Sequence, residues 1–204
     1  MRTLVVDTAT EACSVALFED GSLLAGDWRM LGRGHAESLV PMVAALPERG
    51  RADRIAVSLG PGSFTGLRVG LAAARALGLA WGVPVLGYPT LALVAAMARQ
   101  DAGAVPVCVV MSGGHGEWFV GAFDAAGASQ HPALSLAPAD AVGTCTSEIA
   151  AGSQAEAFIA RRQSGHALPL WPDARCFPLL GDAALEVDPQ LIYGRPPDAK
   201  VSSS

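Results

Sequence analysis

Three short stretches of this sequence carry residue types that could meet a phosphate or a metal ion. Asp7 closes the apolar run Leu4-Val5-Val6 and is followed by Thr8-Ala9-Thr10. Gly60-Pro61-Gly62-Ser63-Phe64-Thr65-Gly66-Leu67-Arg68-Val69-Gly70 lies between a strand-like and a helix-like run. Glycines there allow a tight turn, and the free N–H groups of a helix start could receive an anion. Ser112-Gly113-Gly114 follows a second apolar run, Val107-Cys108-Val109-Val110. A nucleotide cleft between two lobes needs a carboxylate from each lobe to hold hydrated magnesium, with glycines where the backbone must approach the phosphates. Asp7 supplies an acid without glycines behind it, and Gly113 and Gly114 supply glycines behind a serine. Asp7, Thr8, Gly113 and Gly114 therefore amount to a residual phosphate site at most, and the chain is expected to carry no cofactor of its own.

Other chemistries are less well provided for. The glycine loop lacks the Gly-Lys-Ser/Thr ending of a Walker A loop. Gly87-Tyr88-Pro89 stands where a dinucleotide fold would place an Asp or Glu. A nucleophile elbow at Ser63 would need glycine at position 65, which is Thr65. His35 is followed four residues on by Leu39, so one helix face does not bring two imidazoles to a common ion. His115, His131 and His166 stand apart from one another, and no metal site is expected. Cys13, Cys108, Cys145 and Cys176 are scattered without a C-x-x-C pair, which points to reduced, mostly buried thiols.

The elements that must position these groups follow from hydrophobic period and turn residues. Thr3 to Asp7 reads as a buried strand, Cys13 to Phe18 alternates, Asp20-Gly21 is a tight turn and Ser22 to Asp27 returns as a third strand. Leu39, Val40, Val43 and Leu46 recur at helical spacing, with Pro41 requiring the helix to begin near Glu37 or to kink. A strand over Ile55 to Leu59, a helix from the glycine loop to about Ala80, a strand over Val83 to Leu86 and a helix over Thr90 to Arg99 complete one lobe. Three strands and then alternating helix and strand is the order of a ribonuclease-H-like lobe. At a fixed offset, Val107 to Val110 and Trp118 to Phe123 overlay the first two strands, setting Ser112 on Asp7 and Phe123 on Phe18. A lobe duplicated in this way resembles the plan of actin, Hsp70 and sugar kinases. Glu148 to Ala151 reads as a strand, Gly152-Ser153 opens a helix through Arg162, and the chain is rich in loop residues from Pro169 onward. The division expected is an α/β chain with one lobe over residues 1–102, a smaller one over 103–195 and a loose tail over 196–204.

Half of the 204 residues are apolar and only 16% are charged, yet no apolar run reaches the roughly 18 residues of a membrane span. The excess apolar surface must enter a core or meet a partner. The opening Met1-Arg2-Thr3 runs directly into a strand without the apolar stretch of a secretory signal, which reads as cytoplasmic. A net charge of −5 argues against gripping nucleic acid unaided, since phosphate contacts need clustered Lys and Arg.

Gly66, Gly70, Ala74 and Gly78 recur every four residues, forming a smooth stripe on one helix face where another backbone can approach closely. Such a helix is either wholly internal or lies in an interface. Gly60 to Gly70 also resembles the G-P-G-S-F-T-G-L-R-x-G signature of the TsaB (YeaZ) family. Asp7 to Ala16 is similar to that family's opening, His35 to Val43 to its first helix, and Tyr193 to Lys200 to its closing segment. The resemblance implies a two-lobed fold of the actin/Hsp70/sugar-kinase type (ASKHA) with a degenerate second lobe. It implies a non-catalytic scaffold for threonylcarbamoylation of tRNA adenosine 37. The scaffold would pair with a TsaD-like catalytic paralogue and a TsaE-like ATPase, which hold the metal and ATP, and would reach tRNA only through that complex. It also implies that the chain can self-associate through the surface it offers its partner. Gly66, Gly70, Ala74 and Gly78, with His35, Leu39 and Met42 of the preceding helix, are the candidate interface. Ser112-Gly113 departs from the Asp-Ala common in the family. The competing readings are an ATP-dependent transferase of the same fold and a metallopeptidase-like hydrolase, each acting alone.

Overall fold

The computed structural model describes residues 1–192. The closing segment Tyr193 to Lys200 and the tail 196–204 therefore lie outside the described residues. Strands β1 (Arg2–Asp7), β2 (Ala12–Glu19) and β3 (Ser22–Met30) form the expected meander. β1 and β2 are buried on both faces, which explains their almost unbroken apolar runs. Helix α1 (His35–Ala45) starts two residues before Glu37 and continues through Pro41, whose missing N–H leaves the Glu37 carbonyl without its helical partner. Then come β4 (Arg54–Ser58), α2 (Phe64–Trp81), β5 (Val85–Tyr88) and α3 (Thr90–Ala102). Ser63 caps α2 by accepting the Gly66 N–H, and Gly82 ends it in the left-handed region at φ 69°.

The second half comprises β6 (Val107–Ser112), β7 (Trp118–Phe123), β8 (Leu134–Leu136), α4 (Pro138–Ala141), β9 (Ile149–Ala151), α5 (Ala155–Arg162), β10 (His166–Leu168) and β11 (Glu186–Val187). The first sheet runs β11-β5-β4-β1-β2-β3 and the second β10-β9-β6-β7-β8. Leaving β11 aside, the two orders coincide, with antiparallel pairing on the meander side and parallel pairing on the other. The duplication is therefore present in the topology. Asp7 and Ser112 end equivalent strands, as the overlay predicts. Phe18 and Phe123 are not equivalent, because Phe18 pairs with Thr3 whereas Phe123 pairs with Val107. The β6–β7 turn is one residue shorter, and a slip of one residue moves a side chain to the other sheet face.

Packing crosses the boundary expected at 102/103, because chain order and packing diverge. Leu91, Val94, Ala95 and Ala98 of α3 pack on the second sheet, while Leu93 faces the first. The segment after Leu170 returns to the first lobe: the Trp171 indole donates to Glu11 at 2.6 Å, the Ala174 N–H to Ser14 Oγ at 2.9 Å and the Ile192 N–H to the Leu59 carbonyl at 2.8 Å. β11 pairs with β5 at that sheet's edge. The expectation of four reduced thiols fails, since Cys108 and Cys145 are disulfide-bonded and only Cys13 and Cys176 are free. Among the described residues no helix is long and apolar enough to cross a membrane.

Candidate functional site

At the end of β1 the Asp7 side chain is buried. One carboxyl oxygen accepts the Ala9 N–H at 3.0 Å and the other accepts the Tyr88 hydroxyl at 2.9 Å. Burial pushes the Asp7 carboxyl up to about 6, because loss of water penalises the charged form more than these donors restore. Tyr88 Oη also lies 3.2 Å from the Val6 carbonyl. A protonated Asp7 can thus donate to Tyr88, which donates onward to Val6, leaving every polar atom of that chain partnered.

Thr8 is buried too, and its hydroxyl donates to the Gly66 carbonyl at 2.8 Å. The glycine loop folds over this turn, with the Ser63 N–H donating to the Ala9 carbonyl at 2.7 Å. A Cβ added at Gly62 would collide with the Ala9 carbonyl, and one at Gly66 with the Thr8 carbonyl. The loop therefore lies directly on the turn at Thr8 and Ala9, and its glycines serve close packing of the chain on itself.

The equivalent end of β6 is open. Ser112 is exposed, its N–H donates to Ser153 Oγ at 3.0 Å and its hydroxyl accepts from Gln154 Nε2 at 2.8 Å. Gly113 sits in a tight turn where a Cβ would lie 2.7 Å from the Glu117 carbonyl, whereas Gly114 has open space around it. No hydrogen bond or ion pair among the described residues joins Gly113 or Gly114 to Asp7 or Thr8. Ser112 could accept or donate a hydrogen bond to a solvent-borne ligand, but it brings no charge to hold a cation.

Apart from His35, the candidate interface residues are buried within this chain. A Cβ at Gly70 would strike the Thr8 hydroxyl, one at Gly78 would lie 2.6 Å from Val85, and Ala74 is fully buried. The stripe lets α2 settle onto β1, β4 and the start of β5 in its own lobe. Leu39 and Met42 belong to the same core. His35 Nε2 lies 3.2 Å from the Ala12 carbonyl and is half-buried. Gly66, Gly70, Ala74, Gly78, Leu39 and Met42 thus pack within this chain's own lobe while His35 stays half-exposed, because the smallest face of α2 is the one its own sheet can approach most closely. The open faces of the two helices carry Val40 (59% exposed), Phe64 (55%) and Leu79 (87%), with the Arg68 guanidinium 3.5 Å from the Phe64 ring centre. Helical period sets Leu79 one residue beyond buried Gly78, but it groups Val40 with buried Val43 and Phe64 with buried Leu71, so those two exposures could not be read from the sequence. No group of three His, Cys, Asp or Glu side chains placed to hold a metal occurs among the described residues.

Comparison with known proteins agrees with this architecture. The family model "TsaD: tRNA N6-adenosine threonylcarbamoyltransferase" matches residues 29–169, well over half of the chain. The tRNA threonylcarbamoyladenosine biosynthesis protein TsaB of Escherichia coli is 39% identical over 122 residues, covering 57% of this chain and 52% of that protein. A tRNA N6-adenosine threonylcarbamoyltransferase of Anaeromyxobacter dehalogenans is 34% identical over 138 residues, covering 56% of this chain and 41% of the relative. The matches thus span about half, or less, of these relatives' length. The solved structure of YeaZ from Pseudomonas aeruginosa superposes with a TM-score of 0.80 at 28% identity, over 94% of this chain and 99% of that one. The α/β architecture with its repeated strand order, this near-complete superposition and the family match together mean that the chain belongs to the TsaB/YeaZ family, within the wider TsaD family.

Proposed function

We propose that this chain is a non-catalytic scaffold in the biosynthesis of N6-threonylcarbamoyladenosine at position 37 of tRNA. It binds and activates a TsaD-like catalytic paralogue together with a TsaE-like ATPase, and meets tRNA only through that complex. The observation that carries this reading is the pair of strand ends. Asp7 is sealed beneath the glycine loop and bonded to Tyr88, and Ser112 stands where a second acid would have to be. A nucleotide cleft needs carboxylates exposed from both sides to hold a metal against phosphate. The apolar outer faces of α1 and α2, with Val40, Phe64 and Leu79, suit a partner subunit or, before it arrives, a second copy of the chain.

Reconstitution with the paralogue, the ATPase, a source of threonylcarbamoyl-adenylate and unmodified tRNA tests the reading. Modification should require this chain and survive Asp7→Asn. The isolated chain should neither hydrolyse ATP nor modify tRNA. Steady turnover by the pure chain that is abolished by Asp7→Ala would overturn the proposal in favour of an enzyme acting alone.

A further inference from the structure

The second lobe contains a feature that the scaffold reading does not use. Between Val142 and Ile149 the chain passes from α4 to β9, and Cys145 is the one buried residue of that stretch. Cys145 enters a core of Val110, Trp118, Val120, Ala150 and Phe158, where it is bonded to Cys108 on β6, the central strand of the sheet. The other anchors of this loop go to its backbone near either end: the Arg162 guanidinium donates to the Cys145 carbonyl at 3.2 Å and the Glu148 carbonyl at 3.5 Å, the His166 N–H donates to the Glu148 carbonyl at 2.8 Å, and the Thr144 hydroxyl turns back to the Ala141 carbonyl at 2.7 Å. Cys145 is therefore the one side chain by which the middle of the loop enters the core of its sheet.

We propose that Cys108 and Cys145 are a reversible thiol–disulfide pair that locks the 142–148 loop onto the second sheet when oxidised and releases it when reduced. The oxidant is a low-molecular-weight disulfide such as oxidised glutathione. With the loop open, the Cys145 thiolate attacks one sulfur of that disulfide and expels one thiolate, giving a mixed disulfide. As the loop closes, the Cys108 thiolate attacks the Cys145 sulfur and expels the second. Two protein thiols and one small disulfide become one protein disulfide and two small thiols, which take up the two protons. Cys145 is the residue that exchanges because it rides on the loop, whereas Cys108 is fixed within the central strand.

The test is to equilibrate the full chain in glutathione buffers of graded oxidised-to-reduced ratio, trap free thiols by alkylation, and map peptides by mass spectrometry. A peptide pair linking Cys108 to Cys145 should appear at oxidising ratios and vanish at reducing ones. Closing a loop of 37 residues should raise the melting temperature of the oxidised form by about 10 °C. A broad-specificity protease should cut within 142–148 only in the reduced form. Cys108→Ser should stop at the mixed disulfide on Cys145, without the rise in melting temperature or the protection from cutting, while Cys176→Ser should keep the full response. The proposal is overturned by absence of the linked peptide at every ratio, by linked protein that melts and is cut like the reduced form, or by loss of the response in Cys176→Ser.

Discussion

Asp7 and Ser112 end topologically equivalent strands, and the chain treats the two ends in opposite ways. At the first, a carboxyl, a threonine hydroxyl and a turn are closed over by the glycine loop and the start of α2, until no polar atom of Asp7 or Thr8 faces solvent. At the second, a serine and two glycines remain near the surface, held by Ser153 and Gln154. The comparison teaches that a repeated fold does not repeat a site. A two-sided cleft needs both ends open and charged, and here the charged end is closed while the open end is neutral.

The largest test of this contrast is electrostatic. Asp7 titrates near 6 in the fold against an ordinary 3.8, so the fold favours its protonated form. The stability linked to it is fully present below about pH 4 and is lost as pH rises through about 6, reaching about 3 kcal/mol above that. Asp7→Asn keeps an acceptor for the Ala9 N–H and supplies a permanent donor to Tyr88. The variant should therefore be more stable than the parent at pH 7, by up to about 3 kcal/mol, and should lose this pH dependence. Melting curves from pH 4 to 8 check it, and a parent whose stability climbs from pH 4 to 6 while the variant's stays flat would mean that Asp7 is held as an anion.

A steric test follows, smaller in size. Gly70→Leu drives a side chain against Thr8, an overpacking that costs about 1–3 kcal/mol. The melting temperature should fall by about 3–10 °C, while affinity of the folded protein for its partner stays unchanged. Gly114→Leu, at the open end, should leave melting within about 2 °C of the parent. Normal melting with lost partner binding in Gly70→Leu would return the stripe to the interface.

Two smaller effects sharpen the same difference. Ser63→Ala removes the side-chain cap of α2 while keeping the backbone bond to the Ala9 carbonyl, at a cost of about 1 kcal/mol by denaturant unfolding. Ser112→Ala removes a hydrogen bond at an exposed position and should change stability by no more than about 0.5 kcal/mol. A larger loss at Ser112 than at Ser63 would reverse the assignment of which end is structural.

The sequence by itself determined the duplicated plan and the two strand ends, Asp7 and Ser112, that a site between the halves would have to use. Period-two and helical patterns are local properties of the chain, and Thr8-Ala9-Thr10 or Ser112 can be read as missing groups wherever they lie. It also named the smooth face of α2, since Gly66, Gly70, Ala74 and Gly78 share that face at any packing. Only the tertiary structure decided what meets it: periodicity marks a face without naming its neighbour, and the neighbour is this chain's own Thr8 and Val85. The same holds for Cys108 and Cys145, 37 residues apart, whose pairing depends on where the loop after α4 lands on β6. It holds again for the segment beyond Leu170, which has no regular period to read. Its place was set by the single hydrogen bonds of Trp171, Ala174 and Ile192 and by an open sheet edge at β5, contacts made across the whole length of the chain.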